Sequence, residues 1–389
     1  MAHVLLGRGA MAKSLKPQVV IVIGVLLSWS TAASAGSVTL AWNAVSDSTV
    51  SGYELCWGEA PGNWPTCRTV GNVVSYTVPD LLDGRAYYFV VKAYNFAGTR
   101  SAPSIEVSRR VGVPHAAVGD FSGDFLSDFG VFRPANGTWY YQVAGTPYRA
   151  GLQWGSPIDL PATGDYDGDG KIDAAVFRPS DGVWYMRYSS NGLGAGLQWG
   201  GGDDRPVAGD YDGDGKSDAA VFRPSNGTWY LYSSRTGVGR GVQWGTSADK
   251  LAPADYDGDG ITDVAVFRPA NGTWYVINSV NGAWVGTQWG SPGDVPVPAD
   301  YDGDGKSDLA VFRPGNGTWY IKLSTTGAGF GFQWGVGTDV PVPGDYDGDG
   351  RADIAVFRPA IGVWYLRYTA TGATAGLQFG GPGDIPVVK

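Results

Sequence analysis

Six times in this chain, at a fixed interval of 45 residues, several aspartates crowd into nine positions. The second copy reads Asp-Tyr-Asp-Gly-Asp-Gly-Lys-Ile-Asp, from Asp165 to Asp173. Calcium takes six to eight oxygen ligands at about 2.3–2.6 Å, and glycine permits the tight turn that aims several carboxylates at one point. Asp165, Asp167, Asp169 and Asp173 are therefore candidate ligands, with the backbone carbonyl of Lys171 and water completing the shell. The same set recurs as Asp210, Asp212, Asp214 and Asp218 with Lys216, and as Asp255, Asp257, Asp259 and Asp263 with Ile261. It recurs again as Asp300, Asp302, Asp304 and Asp308 with Lys306, and as Asp345, Asp347, Asp349 and Asp353 with Arg351. The first copy keeps Asp120, Asp124 and Asp128, but Ser122 replaces an aspartate and Phe125 a turn glycine, so a weak or empty site is expected there. Asp-Gly is also an ordinary turn pair. Against that reading, five intact loops hold 20 of the 37 acidic residues, and carboxylates packed so closely repel unless a cation joins them. Magnesium fits less well, because it keeps its waters and a rigid octahedron. About five calcium sites are expected.

The elements that must hold these loops are strands. Each unit reads as a short first strand (Pro296-Val297-Pro298), a second (Leu309 to Arg313), a third (Thr318 to Leu323) and a fourth ending at Phe332-Gln333-Trp334. Asn316-Gly317 is expected to join the second and third as a two-residue hairpin turn. Strand-built repeats of this length point to propellers or solenoids. The Asp-x-Asp-x-Asp-Gly-x-x-Asp loops resemble those of FG-GAP and VCBS repeat propellers, where the loop lies in a β-hairpin; the resemblance covers all six copies. It implies a β-propeller over residues 113–389, six-bladed with four-stranded blades. One first strand is surplus, at Ala116-Ala117-Val118 or at Asp384 to Val388, and is expected to close the ring. A seven-position ring with an incomplete blade is the alternative.

Other residues share the period. Trp-Tyr pairs recur from Trp139-Tyr140 to Trp364-Tyr365, and Gln-Trp from Gln153-Trp154 to Gln333-Trp334, becoming Gln378-Phe379 in the last copy. Adjacent strand residues face opposite ways, so one of each Trp-Tyr pair packs between blades and the other faces out. The tryptophans are read as packing residues, with sugar-stacking platforms as the alternative. Arg133, Arg178, Arg223, Arg268, Arg313 and Arg358 are expected to pair between blades with Asp159, Asp204, Asp249, Asp294, Asp339 and Asp384; anion recognition is the other reading. Asn-Gly-Thr at Asn136, Asn226, Asn271 and Asn316 fits a glycosylation acceptor but is read as a turn.

Residues 36–112 read as a small β-sandwich. The Trp42 strand, Gly52-Tyr53, Leu82 and Gly84 before the run Tyr87-Tyr88-Phe89-Val90-Val91-Lys92-Ala93-Tyr94-Asn95, and the closing Gly98, Ser101 and Ser104 resemble a fibronectin type III domain. Cys56 and Cys67, outside that pattern, are expected to form a disulfide between neighbouring strands. A catalytic thiol would need a histidine, and past residue 35 the chain has only His115. Residues 1–35 read as an export signal, with Lys13 and Lys16, an apolar run from Val19 to Trp29 and Ala33-Ser34-Ala35; an uncleaved anchor is the alternative. No other stretch is apolar enough to span a bilayer, so a secreted chain is expected, with periplasm or cell surface open.

A net charge of −9 argues against a nucleic-acid partner. Three functions remain: an extracellular binding or adhesion module with structural calcium and an unknown protein or glycan partner, a multivalent lectin, or a polysaccharide-acting enzyme. An enzyme needs a group that breaks the symmetry. Trp284, Arg235, Arg240 and Tyr148 are unique to their copies but form no recognisable set, so no catalytic residue is assigned.

Overall fold

The computed structural model describes residues 36–387, apart from residues 43, 46–48, 60–61, 82–84, 105 and 112–117. The expected export signal, Leu82 and Gly84 of the fibronectin-like pattern, His115 and Ala116-Ala117 lie outside the described residues. Every regular element described is a strand, and none is a helix long and apolar enough to cross a membrane. The chain divides into two compact units between Gly112 and Val113.

The first unit is a sandwich of β1 (Gly36–Ala41), β2 (Val50–Gly58), β3 (Thr66–Gly71), β4 (Ser75–Leu81), β5 (Arg85–Asn95) and β6 (Val107–Val111). One sheet pairs β1 with β4, and the other runs β3-β2-β5-β6. Alternating residues of both sheets meet in one core around Trp42, Tyr53, Leu55 and Phe89. Cys56 and Cys67 lie opposite each other on β2 and β3 and form a disulfide.

The second unit contains six four-stranded antiparallel sheets. The second sheet is typical: Leu160–Pro161, Ala174–Arg178, Val183–Arg187 and Gly194–Gln198, in that order across the sheet. The first strand is only two residues long, because the aspartate loop takes up the chain that follows it. In the first sheet the order is Ile385–Pro386, Phe129–Arg133, Thr138–Gln142 and Arg149–Gln153, so a C-terminal strand completes a sheet begun more than 250 residues earlier. The connection between second and third strands is longer than the expected two-residue turn. Arg313 is paired with Thr318, which leaves Pro314-Gly315-Asn316-Gly317 as a four-residue loop. The Gly317 N–H donates to the Arg313 carbonyl at 2.9 Å. Proline cannot continue the ladder, so the turn begins two residues before Asn316.

The second strands are buried on both faces, which explains their unbroken Ala-Val-Phe sequence. One face of each sheet packs on the sheet before it and the other on the sheet after. Phe177 and Trp184 of sheet two meet Ala219 and Val221 of sheet three in one cluster. Equivalent clusters join every consecutive pair, and a sixth joins Phe357 and Trp364 of the last sheet to Phe129 and Val131 of the first. The six third-strand tryptophans are at most 2 % exposed, which places them in the packing role.

The partner of each repeated arginine differs from expectation in one respect. Arg178 makes a two-pronged pair with Asp159, Nε to Oδ1 at 2.8 Å and Nη2 to Oδ2 at 2.9 Å. These residues flank the first and second strands of one sheet, so the bond lies within a sheet rather than between sheets. The same pairing joins Arg133 to Asp384, Arg223 to Asp204, Arg268 to Asp249, Arg313 to Asp294 and Arg358 to Asp339. Each guanidinium also lies 4.2–4.6 Å above the ring of the third-strand tyrosine, Tyr185 in this sheet. The arginines are thus committed to structure. Replacing the buried Trp229 by alanine should cost about 3–5 kcal/mol, whereas Tyr230→Ala, at a half-buried ring beneath Arg223, should cost less. Urea denaturation of the two variants checks this order.

Candidate metal centres

Each aspartate loop lies between the first and second strands of its sheet, and its first residue organises the turn. Asp165 Oδ1 accepts the Gly168 and Asp169 N–H groups, and Oδ2 accepts that of Gly170 at 2.8 Å. Such a bend needs left-handed backbone, and Gly168 and Gly170 supply it with φ of 81° and 84°. The first copy folds along the same path. Asp120 Oδ2 accepts the Phe125 N–H at 2.7 Å, and Phe125 takes φ of 68° where the other loops have glycine. The strain expected at that residue is present, and the loop absorbs it.

The turn brings carboxylates together. Asp165, Asp167 and Asp173 each place an oxygen within 4.8 Å of the other two, and so do Asp210, Asp212 and Asp218. In the next two loops the three are Asp255, Asp257 and Asp259, then Asp300, Asp302 and Asp304. Among the described residues, each of these groups therefore joins three of the four expected aspartates. The last aspartate of each loop is also held by the main chain. Asp173 Oδ2 accepts the Tyr166 N–H at 2.8 Å, and Oδ1 accepts the Ser189 N–H at 2.6 Å. Asp218, Asp263, Asp308 and Asp353 do the same with the equivalent residues.

Lys171, Lys216, Ile261, Lys306 and Arg351, expected to offer carbonyls, have side chains with a separate role. The Lys216 stem covers Gly168 of the preceding loop, where an added Cβ would approach Lys216 Cε to 3.1 Å. Lys171, Ile261, Lys306 and Arg351 cover Gly123, Gly213, Gly258 and Gly303 in the same way. Successive loops are also joined through the main chain. The carbonyl of Asp165 accepts the Ser217 N–H at 2.6 Å, Asp210 accepts from Thr262, Asp255 from Ser307 and Asp300 from Ala352. Asp120 accepts from Ile172, and Asp345 from Ser127, so the series of six returns to its start.

Serines and threonines after the third strand also brace the loops, a role not assigned from the sequence. Ser189 Oγ donates to Asp169, Ser234 Oγ to Asp214, Ser279 Oγ to Asp259 and Ser324 Oγ to Asp304. The first repeat has Ala144 at that place, and only its N–H remains, donating to Asp128. The recurrence of these hydroxyls every 45 residues was the available signal.

The electrostatics of the loops favour a cation. Burial pushes Asp165, Asp308 and Asp345 up to about 7, and Asp173, Asp218 and Asp263 up to about 6. Asp353 rises to about 8 for the same reason. Neighbouring carboxylates add to the rise, and backbone N–H groups oppose it. Meanwhile one oxygen of Asp302 is buried without a hydrogen-bond donor, and Oδ1 of Asp212 likewise accepts none, with Arg235 Nε 3.9 Å away. Clustered carboxylates, shifted upward and with oxygens lacking donors, form an all-oxygen set suited to a hard divalent cation.

The family model for an FG-GAP-like repeat matches residues 210–266, 255–311 and 300–356, and that for a fibronectin type III domain matches residues 27–110. The chain therefore carries a fibronectin type III domain followed by FG-GAP-like repeats. A Kelch domain-containing protein of Saccharolobus solfataricus is 47% identical over 87 residues, which are 22% of this chain and 12% of that relative's length. Among solved structures, an Agrocybe aegerita lectin described as recognising non-reducing terminal N-acetylglucosamine is 16% identical, covering 88% of this chain and 94% of its own, with a TM-score of 0.46. A streptogramin B lyase is 13% identical over 58% of this chain and 73% of its own, with a TM-score of 0.42.

The raised values set a pH dependence. Between the ordinary aspartate value of 3.8 and about 7, the folded loops keep protons that the unfolded chain has released. In chelator-treated buffer the melting temperature should therefore fall as pH rises through that window. A scan that instead shows stability rising toward neutral pH would contradict the burial of these carboxylates.

Proposed function

We propose that this chain is a secreted binding or adhesion module whose second unit is a six-bladed β-propeller stabilised by calcium. The observation that carries the reading is the convergence of three carboxylates in loops whose own main chain links one sheet to the next. Calcium bound there would neutralise the clustered charge. Asp165, Asp167, Asp169 and Asp173 and their counterparts would hold it, and the hydrogen bonds of the loop keep those carboxylates in place. The first loop, with Ser122 and Phe125, is left out of the metal set, so about five ions are expected. The pairing of Ile385–Pro386 with Val131 and Phe132, and the cluster joining the last sheet to the first, support closure of the ring.

The disulfide and the fibronectin type III domain support an extracellular setting, and the partner is an extracellular protein or glycan. The reading is of a non-enzyme, because the repeated polar residues are engaged in holding the fold. A lectin reading draws on Trp284, which is 63% exposed and packs on Trp244 at 6.0 Å, offering an aromatic face to a sugar ring.

Calcium at about one hundred times its dissociation constant should add about 2.7 kcal/mol for each site, seen as a large rise in melting temperature over the chelated protein. Titration calorimetry should count five sites rather than six, and Asp302→Asn should remove one. An unchanged melting temperature on chelation would end the structural-calcium reading. A glycan array screened with and without chelator separates lectin from protein-binding module: calcium-dependent signals favour the lectin, a blank array the latter.

A further inference from the structure

Five of the six junctions between sheets in the second unit are fastened alike. Trp154, Trp199, Trp244, Trp289 and Trp334 end their fourth strands, and each donates its indole N–H to the carbonyl of a third-strand tyrosine in the next sheet at 3.0–3.1 Å. At three junctions the indole lies so close over the next fourth strand that only glycine fits. A Cβ at Gly194, Gly239 or Gly329 would meet the indole at 2.7, 2.0 or 2.2 Å.

The junction between the last sheet and the first is built differently. Phe379 replaces the tryptophan and has no N–H for the Tyr140 carbonyl, and Arg149 stands where those glycines do. The Arg149 guanidinium lies 5.4 Å above the Phe379 ring, its Nε donating to Gln142 Oε1 at 2.7 Å and its Nη2 reaching the Gln378 carbonyl at 3.4 Å. Among the described residues Arg149 joins no ion pair, unlike Arg133 beside it, which Asp384 holds with both oxygens. A cavity of about 420 Å³ opens between Arg149, Phe379, Tyr140, Val131 and Gly151. The corresponding cavity between sheets four and five measures about 270 Å³.

We propose that this junction is a single-copy binding site for a small ligand that carries a carboxylate on a ring. A guanidinium presents a planar fork that matches a carboxylate, and one that joins no acid among the described residues suits a single negative charge. The apolar wall of Phe379, Tyr140 and Val131 suits the face of one ring, and Gly151 leaves room beside it. The site deepens the reading of the chain as a binding module and rests on it.

The test is titration of the calcium-loaded full chain with benzoate, D-glucuronate and D-glucose, followed by calorimetry or ligand-observed NMR. Millimolar binding of at least one carboxylate, with none of glucose, is expected. Benzoate alone would identify an aromatic acid as the natural class, and glucuronate, alone or with benzoate, an acidic sugar. Arg149→Ala should weaken binding by about tenfold or more. Phe379→Trp should offer an indole donor to the Tyr140 carbonyl, narrow the cavity against Arg149 and abolish binding. Absence of carboxylate binding, or binding that survives both substitutions, overturns the site. Calcium stabilisation measured on the same samples reports separately on the module reading.

Discussion

Everything in the second unit hangs on one main-chain hydrogen bond made six times. The carbonyl of the first loop aspartate accepts an N–H from the next loop, while the carboxylate of that residue organises its own turn. One residue therefore sets both the shape of the loop and the spacing of neighbouring sheets. The arrangement explains why the first copy keeps the same path with Ser122 and Phe125 in place of an aspartate and a glycine. Asp120 still accepts from Ile172 and Ser127 still donates to Asp345, so the cycle needs the path of that loop, and Phe125 bears the left-handed conformation to preserve it.

Around this cycle the four strands divide the labour. The second and third strands carry the Phe and Trp that fill the space between sheets, and there the sequence tolerates little variation in volume. The first strand is reduced to two residues and is held by an arginine–aspartate pair whose acid is buried and whose arginine is capped by a tyrosine ring. An acid buried so fully needs its partner, since desolvation of an unpaired carboxylate is costly. The fourth strands are the exposed ones, with alternate residues facing solvent. Differences between copies can accumulate there at little cost, and Arg149 and Trp284 are both found there.

Much of this was legible in the residues alone because the repeat writes the same physics six times. The aspartate spacing, the damaged first loop and the disulfide all follow from short-range chemistry, and the alternation of Trp and Tyr determines which of them is buried. What stayed hidden depends on residues far apart in the chain. Asp159 and Arg178 lie on either side of the aspartate loop, and only the pairing of the first strand with the second brings them together. Proline at the start of the turn lengthened the Asn-Gly loop to four residues. The bracing by Ser189 and its counterparts looked like generic turn polarity until the third strand brought it against the loop. Phe379 and Arg149 are each a single departure from pattern, more than 200 residues apart, and only packing of the last sheet on the first made them neighbours. The sequence by itself determined what each repeat must be, since that rests on local spacing. Which departures meet, and so where a single-copy site can exist, was decided by the tertiary structure, because contacts between sheets depend on the whole cycle of packing.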